Sequence, residues 1–174
     1  FTHNINLSNK VNKKKKYKRI LYTPRELGQS YFYRGYAFAK INNIKEAIKD
    51  YLRYLNLTKG TEREAPAHYG LGWLYHHQGI YHWAAQSFER AIIGDDLQSR
   101  KALYYEAVNH KLSGNFQRAM NTFKEFGNRY KEGMWVEQAY YEWGISAFEA
   151  GNYDGAITIL LNLIRQQDSL SNSA

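Results

Sequence analysis

The sequence predicts an all-α fold made of about four helical hairpins, and two observations lead to this prediction. First, four similar segments follow one another: YFYRGYAFAKINNIKEAI, HYGLGWLYHHQGIYHWAA, LYYEAVNHKLSGNFQRAM and YYEWGISAFEAGNYDGAI. Second, the apolar residues of each segment follow helical spacing and are interrupted once, at residues 41–43, 78–79, 113–115 and 151–152. Each segment is therefore predicted to form two helices joined by a turn.

Small and bulky residues recur at matching places in the four segments. A glycine or alanine at positions 35, 72, 107 and 144 sets a repeat of 35 to 37 residues. An alanine and then a large apolar residue follow in the second helix of each segment: Ala47 and Tyr51, Ala84 and Phe88, Ala119 and Phe123, Ala156 and Leu160. We expect the small residues to let helices approach closely, since glycine within a helix costs about 1 kcal/mol relative to alanine and needs a packing reason.

The hairpins are predicted to occupy residues 28–61, 65–98, 100–133 and 137–168, within an array that spans 23–168. Thr23, Pro24 and Glu26 form the pattern of a capping box with proline at the first helical position, and Pro66 is placed to open the second hairpin. The acids before later helices, such as Asp95 and Asp96, are interpreted as helix caps. A polar tail is predicted at 169–174 and a basic arm at 1–22.

This pattern resembles the tetratricopeptide repeat family over residues 28–168, with Gly72, Tyr75, Gly79, Ala84 and Phe88 among its best matches. The resemblance implies a right-handed superhelical solenoid of about four hairpins. Arg34 and Glu106 depart from it, standing where the family has an apolar residue, and Tyr54 and Phe126 replace a small one. Residues 123–157 are more narrowly similar to repeats of bacterial envelope proteins, namely outer-membrane-assembly lipoproteins and a Tol-Pal-associated periplasmic protein.

The family resemblance also implies where a partner binds. First helices of such arrays line a concave groove, and here the groove positions are rich in aromatic residues, which suit a peptide or partner helix. An alternative is that some of these rings pack against neighbouring hairpins. The predicted groove residues are Phe32, Tyr33, Tyr36, Lys40, Tyr69, Trp73, His76, His77, Tyr104, Tyr105, Val108, Lys111, Tyr141, Ile145 and Phe148.

The net charge of +8 is concentrated near the start of the chain. Residues 1–30 hold eight lysines and arginines against the single acid Glu26. Six of these bases form a cluster: Lys13, Lys14, Lys15, Lys16, Lys18 and Arg19. Such a cluster binds nucleic acid or an anionic membrane in some proteins, but without an aromatic stacking platform beside it a solvated arm is the favoured interpretation.

No pattern in the sequence assigns catalytic roles. The chain has no cysteine, and it lacks a phosphate-binding glycine loop, an HExxH motif and a nucleophile elbow. His76 and His77 are neighbours on one helix and no acid completes a ligand set, so a metal site is disfavoured. We therefore predict a protein that is not an enzyme and has no cofactor.

The leading functional prediction is a scaffold that binds a protein partner in the groove, with bacterial envelope assembly or maintenance, in the periplasm or at the outer membrane, as the specific hypothesis. Two alternatives stay open: a tether to nucleic acid or membrane through the arm, and the regulatory part of an enzyme whose catalytic domain lies elsewhere. The apolar side of the last hairpin, with Leu160, Leu161 and Leu163, needs cover from more chain, a partner or a second copy, so a homo-oligomer is one expectation.

Overall fold

The computed structural model describes residues 23–131 and 133–171, and the predicted basic arm lies outside them. The helices in this part of the chain are α1 (Pro24–Lys40), α2 (Ile44–Thr58), α3 (Ala65–His77), α4 (Tyr81–Arg90), α5 (Leu97–Leu112), α6 (Phe116–Arg129), α7 (Met134–Glu149) and α8 (Tyr153–Ser171). A single 3₁₀ turn, Glu62–Glu64, precedes α3. No strand occurs among the described residues, so the all-α prediction is confirmed.

Successive helices pair into four antiparallel hairpins that stack along the chain order. Hairpin one is α1 and α2, hairpin two is α3 and α4, hairpin three is α5 and α6, and hairpin four is α7 and α8. The buried core is shared between neighbours: Ala47 and Tyr51 of hairpin one pack with Leu71 of hairpin two. None of the helices in residues 23–131 and 133–171 is both long and apolar enough to cross a membrane.

The small residues predicted to permit close packing do so. A Cβ atom added to Gly72 would lie 2.8 Å from the ring of Phe88, and one added to Gly144 would lie 2.5 Å from Leu160 Cδ2. Both distances are well inside the usual carbon–carbon separation of about 3.5–4.0 Å. The first helix of each of these hairpins therefore approaches its second helix at a point where only hydrogen fits.

Every hairpin turn has a left-handed residue at the equivalent position. These residues are Asn42, Gly79, Gly114 and Gly151, with φ values of 58°, 72°, 77° and 76°. Glycine adopts this conformation without a steric penalty, and asparagine tolerates it better than most residues. The repeat therefore conserves backbone geometry at the turn as well as packing in the helices.

Two predicted caps are present at the first helices of hairpins one and three. The Thr23 backbone amide donates to Glu26 Oε2 at 2.9 Å, while the Glu26 amide donates to Thr23 Oγ1 at 3.2 Å, which completes the capping box. Asp96 accepts a hydrogen bond from the Ser99 amide at 2.7 Å. Asp95 instead forms an ion pair with Arg129. Helix α8 continues to Ser171, past the predicted end of the array at 168.

The polar residues that depart from the family pattern find partners within their own hairpins. Arg34 donates through Nε and a terminal nitrogen to both oxygens of the fully buried Asp50, at 2.5 and 2.7 Å, and this pairing lowers the Asp50 pKa. At the same place in hairpin three, Thr122 Oγ1 lies 3.5 Å from Glu106 Oε1 and His110 Nε2 lies 3.6 Å away. A polar pair thus replaces an apolar contact in two of the hairpins.

Candidate binding groove

A cavity of about 400 Å³ lies between the first helices of hairpins one and two. Six predicted groove residues line it: Phe32, Tyr36, Lys40, Tyr69, Trp73 and His77. The rest of its lining is Ala39, Tyr51, Pro66, Gly70, Leu74 and Gln98. The cavity is therefore lined mainly by aromatic and apolar side chains. Its lining also contains two basic side chains, Lys40 and His77, and no carboxylate.

Trp73 forms the centre of the aromatic lining. Its ring stacks on His77, with centroids 5.6 Å apart and planes at 27°, and meets Tyr105 of the next hairpin at 4.4 Å. It also makes an edge-to-face contact with the fully buried ring of Phe88, with centroids 5.6 Å apart. Trp73 is consequently held by contacts with both the core and the groove.

His76 has a structural partner instead of a free place in the groove. The amide nitrogen of Asn109 donates to the Tyr105 carbonyl at 2.6 Å, so its oxygen is left to accept from His76 Nδ1 at 2.9 Å. Asn109 is fully buried. This short network joins the first helices of hairpins two and three and fixes how the two hairpins meet.

The remaining predicted groove residues lie outside the cavity. Tyr33 is strongly exposed, and Tyr141 and Phe148 on α7 of the last hairpin are about half exposed. Lys111 forms an ion pair with Glu142, so its charge is already neutralised. Ile145 and Val108 are half-buried, and Val108 packs against the core of hairpins three and four.

Tyr104 does not belong to the groove surface, and this corrects the sequence-based assignment. Its side chain is only 8% exposed and packs in the core against Trp135 at 4.7 Å and against Phe123 and Phe126 at 5.9 Å. Burial raises the pKa of its phenol above the ordinary value of 10.0. The neighbouring residue, Tyr105, takes the groove-side position beside Trp73.

The sequence analysis missed two residues that extend the groove, Gln98 and Trp135. Gln98 lines the cavity, and Trp135 lies 5.8 Å from Tyr105, continuing the row of rings from Trp73. Both occupy the first turn of a first helix, just before the predicted repeat boundaries at 100 and 137. The cap residue Asp96 marks the earlier start of α5 and could have extended the groove positions to Gln98.

A second crevice, of about 540 Å³, lies at the open end of hairpin one. It is lined by Thr23, Pro24, Arg25, Gly28, Gln29, Tyr54, Leu57, Thr58 and Arg63. The Tyr54 hydroxyl donates to the Arg63 carbonyl at 2.8 Å, which ties the 3₁₀ turn to α2. Although larger, this crevice has a more polar and more exposed lining than the groove cavity, so we regard it as the weaker binding candidate.

No three histidine or acidic side chains lie close enough together to hold a metal ion in the part of the chain that the structure describes. His76 is engaged with Asn109, and His77 stacks on Trp73. The groove therefore offers apolar surface, aromatic faces and one lysine charge, which are the features of a surface that binds another molecule noncovalently.

These features define a class of protein, a helical-hairpin repeat solenoid with an aromatic groove. Tetratricopeptide repeat family models match residues 34–99, 101–132 and 138–169, which together make up most of the chain. The protein belongs to the tetratricopeptide repeat family. No significant match was found among curated protein sequences.

Solved structures with the same fold are distant in sequence. A Podosopora anserina protein of nearly identical TPR-like repeats is 12% identical, with a TM-score of 0.67 over 87% of this chain and 80% of that one. MamA is 18% identical, with a TM-score of 0.63 over 83% of this chain and 81% of that one. RapI is 17% identical, with a TM-score of 0.62 over 83% of this chain and 57% of that one.

At these identities the structural matches show a shared fold. The family assignment adds a general role, because tetratricopeptide repeats are protein-protein interaction modules. The chain is accordingly a protein-protein interaction scaffold in the general sense.

Proposed function

We propose that the protein binds a segment of a partner protein along the groove of its first helices, with an apolar side chain of the partner anchored in the cavity between hairpins one and two. The observation that carries this proposal is the cavity itself, where Phe32, Tyr36, Tyr69 and Trp73 converge from two hairpins. Its volume of about 400 Å³ falls within the usual range of binding pockets.

The cavity is prepared for its partner before binding. Trp73 contacts Phe88 and Tyr105, and Phe32 contacts Tyr51 and Tyr54, so these rings are immobilised by the folded core. A rigid aromatic surface loses little side-chain entropy when a partner binds, and buried aromatic anchors carry much of the energy of protein interfaces. The expected anchor is therefore an aromatic or branched aliphatic side chain.

Charge at the edge of the cavity favours an acidic neighbour for that anchor. Lys40 lies in the last turn of α1, with its ammonium 5.2 Å from the ring of Tyr36, and the lining contains no aspartate or glutamate. A carboxylate beside the apolar anchor would meet Lys40 without competition from the cavity wall. We therefore expect the bound segment to combine an apolar residue with a nearby acid.

A displayed library of random peptides, selected on the immobilised protein, tests this proposal. The enriched peptides should share an aromatic or branched apolar residue next to an aspartate or glutamate. Tyr36→Ala should raise their dissociation constant about tenfold, because it removes a half-exposed ring from the cavity wall. Lys40→Glu should weaken only the peptides that carry the acid.

The matched control is Trp83→Ala, which removes an aromatic side chain of 55% exposure from the second helix α4, away from the cavity lining. Binding to this variant should equal binding to the wild type. Selected peptides that bind Tyr36→Ala and Lys40→Glu as tightly as wild type would show that this cavity is not the binding site.

An envelope location of the partner is the second part of the proposal. It is supported by the narrower sequence resemblance of residues 123–157 to envelope repeat proteins. Fractionation of the native cell, with immunodetection of the protein in periplasmic, membrane and cytoplasmic extracts, is the direct measurement. Detection only in the cytoplasmic extract would exclude this part and leave the groove proposal unaffected.

A further inference from the structure

The outer side of the last helix, α8, carries an exposed apolar stripe. Tyr153, Ile157, Leu161 and Ile164 are between 44% and 60% exposed. Their spacing of three or four residues places them along one face of the helix. We call these four residues the α8 stripe.

The repeat shows why this face has no cover within hairpin four. The position of Ile164 corresponds to Leu55, Ile92 and Gly127 in hairpins one, two and three. Each of those residues is packed by the hairpin that follows it, and Gly127 lies so close to Tyr140 that an added Cβ would be 3.0 Å from its ring. Ile164 is instead 55% exposed, so at this position of the α8 stripe no following hairpin packs on the helix within the described residues.

At the opposite end of the array, two positions of α1 that are apolar and buried in hairpin two carry polar residues. Fully buried alanines, Ala67, Ala102 and Ala139, occupy the position that Ser30 holds in α1, and Ser30 is exposed. Arg34 stands at the position of the buried Leu71, with 53% of its side chain exposed and its guanidinium held by Asp50. Head-to-tail stacking of two arrays would bury that guanidinium against an apolar helix, which is unfavourable.

The α8 stripe is, by contrast, complementary to itself. Asp154 and Arg165 flank the same edge of the stripe, and within the described residues neither belongs to an ion pair. If two α8 helices lie antiparallel about a two-fold axis between Ile159 and Leu160, Asp154 of each copy is level with Arg165 of the other. Opposite charges then meet twice at one edge of the contact.

The same axis also interleaves the apolar side chains. Ile164 of one copy is then level with residue 155 of the other copy, where it lies between Tyr153 and Ile157 of that copy. In the same way, Ile157 is level with residue 162 of the other copy, between its Leu161 and Ile164. Side chains from the two helices therefore fill the spaces between one another instead of colliding. Interdigitation of this kind is the packing that antiparallel helices use.

We propose that two copies of this chain associate tail to tail through an antiparallel contact of their α8 stripes, forming a two-fold symmetric dimer. Such a contact uses the same patch on both copies and closes at two, so it does not grow into a fibre. The groove cavity lies in hairpins one and two, at the other end of each array. The dimer would therefore present two distant binding sites, although its formation does not depend on the groove proposal.

Sedimentation-velocity ultracentrifugation over a dilution series measures the dimer directly. The wild-type chain should sediment as a dimer that dissociates to a monomer on dilution. Leu161→Glu should give a monomer, because it places a charge from each copy in the apolar contact. The matched control is Leu52→Glu, since Leu52 holds the equivalent position in hairpin one and is 46% exposed, and this variant should remain dimeric.

Charge reversal tests the predicted pairing independently of apolar burial. Asp154→Arg or Arg165→Asp alone should raise the dimer dissociation constant about tenfold, since each creates two like-charge contacts. The double variant should restore the wild-type constant, because the two pairs re-form with reversed polarity. Circular dichroism should show the same helicity for every variant.

Three results would overturn the proposal. One is a monomeric wild-type chain at concentrations up to about 0.1 mM, a level at which even a weak specific contact forms. Another is growth beyond a dimer, which would indicate head-to-tail stacking. The third is failure of the double charge reversal to recover the affinity that either single reversal loses.

Discussion

Two glycines in first helices, Gly28 and Gly72, allow the close-packing argument to be tested as a difference between two substitutions. Both are buried and helical, but their surroundings differ. A Cβ on Gly28 would lie 3.7 Å from its nearest neighbour, in the ring of Tyr54, which is an ordinary contact. A Cβ on Gly72 would lie 2.8 Å from two ring carbons of Phe88.

The expected magnitudes follow from two opposing effects. Alanine is favoured over glycine within a helix by about 0.8–1.0 kcal/mol, and this gain applies to both positions. At Gly72, however, Phe88 would have to move by about 0.7 Å or more to reach a normal separation. Phe88 is fully buried, so its ring has no free space to enter, and overpacking of this kind costs about 1–3 kcal/mol.

Gly28→Ala is therefore expected to stabilise the fold by about 1 kcal/mol, whereas Gly72→Ala should be neutral or destabilising by up to about 2 kcal/mol. Urea denaturation followed by circular dichroism measures both, provided that the m-value stays unchanged. The difference between the two variants isolates the packing cost, because the helix-propensity gain cancels. Equal stabilisation by both substitutions would refute the close-approach explanation for glycine in this repeat.

Three further predictions concern residues of the groove and of hairpin three. Tyr104→Ala should destabilise the fold by about 3–5 kcal/mol, as other truncations of buried aromatic residues do, whereas Tyr36→Ala, at a half-exposed residue, should change stability by less than about 0.5 kcal/mol. Thermal unfolding distinguishes the two variants, and similar losses of stability would contradict the core assignment of Tyr104. Asn109→Leu removes both hydrogen bonds of a fully buried side chain and should cost about 1–3 kcal/mol in urea denaturation, so an unchanged midpoint would mean that the His76 network contributes nothing. Burial raises the Glu106 pKa above 4.5, so the protonated carboxyl stabilises the fold at low pH and this contribution is lost as the pH rises through the raised pKa. Glu106→Gln should accordingly be more stable than wild type at neutral pH and show a flatter stability profile above pH 4.5, and a profile unchanged by the substitution would exclude Glu106 as its source.

Much of the fold could be predicted from the sequence because its signals are local. The turns at 41–43, 78–79, 113–115 and 151–152 coincide with the observed breaks between paired helices, and the Thr23 capping box is present. Helical spacing, caps and left-handed turn residues act over a few positions, so one chain suffices to identify them. Repetition then confirms each assignment four times.

The groove could be predicted only in part, since exposure depends on contacts between hairpins. Six predicted residues surround the cavity, yet Tyr104 and Tyr105 are adjacent and the sequence does not distinguish their roles. Trp135 belongs to hairpin four, and its ring contacts both Tyr104 in the core and Tyr105 beside the groove of hairpin three. The orientation of α5 about its own axis decides that Tyr104 is buried and that Tyr105 lies beside Trp73.

The sequence by itself determined the hairpin repeat, the positions of its turns and the glycines at which helices approach, because these depend on spacing within about 37 residues. Only the tertiary structure decided which partner a polar residue finds within the array, as Arg34 finds Asp50. It also decided which apolar residues stay uncovered, as those of the α8 stripe do. The physical reason is that burial and pairing belong to surfaces formed by two or more helices. A residue's neighbours across such a surface, more than its neighbours in the chain, determine whether it stabilises the core or remains free to bind.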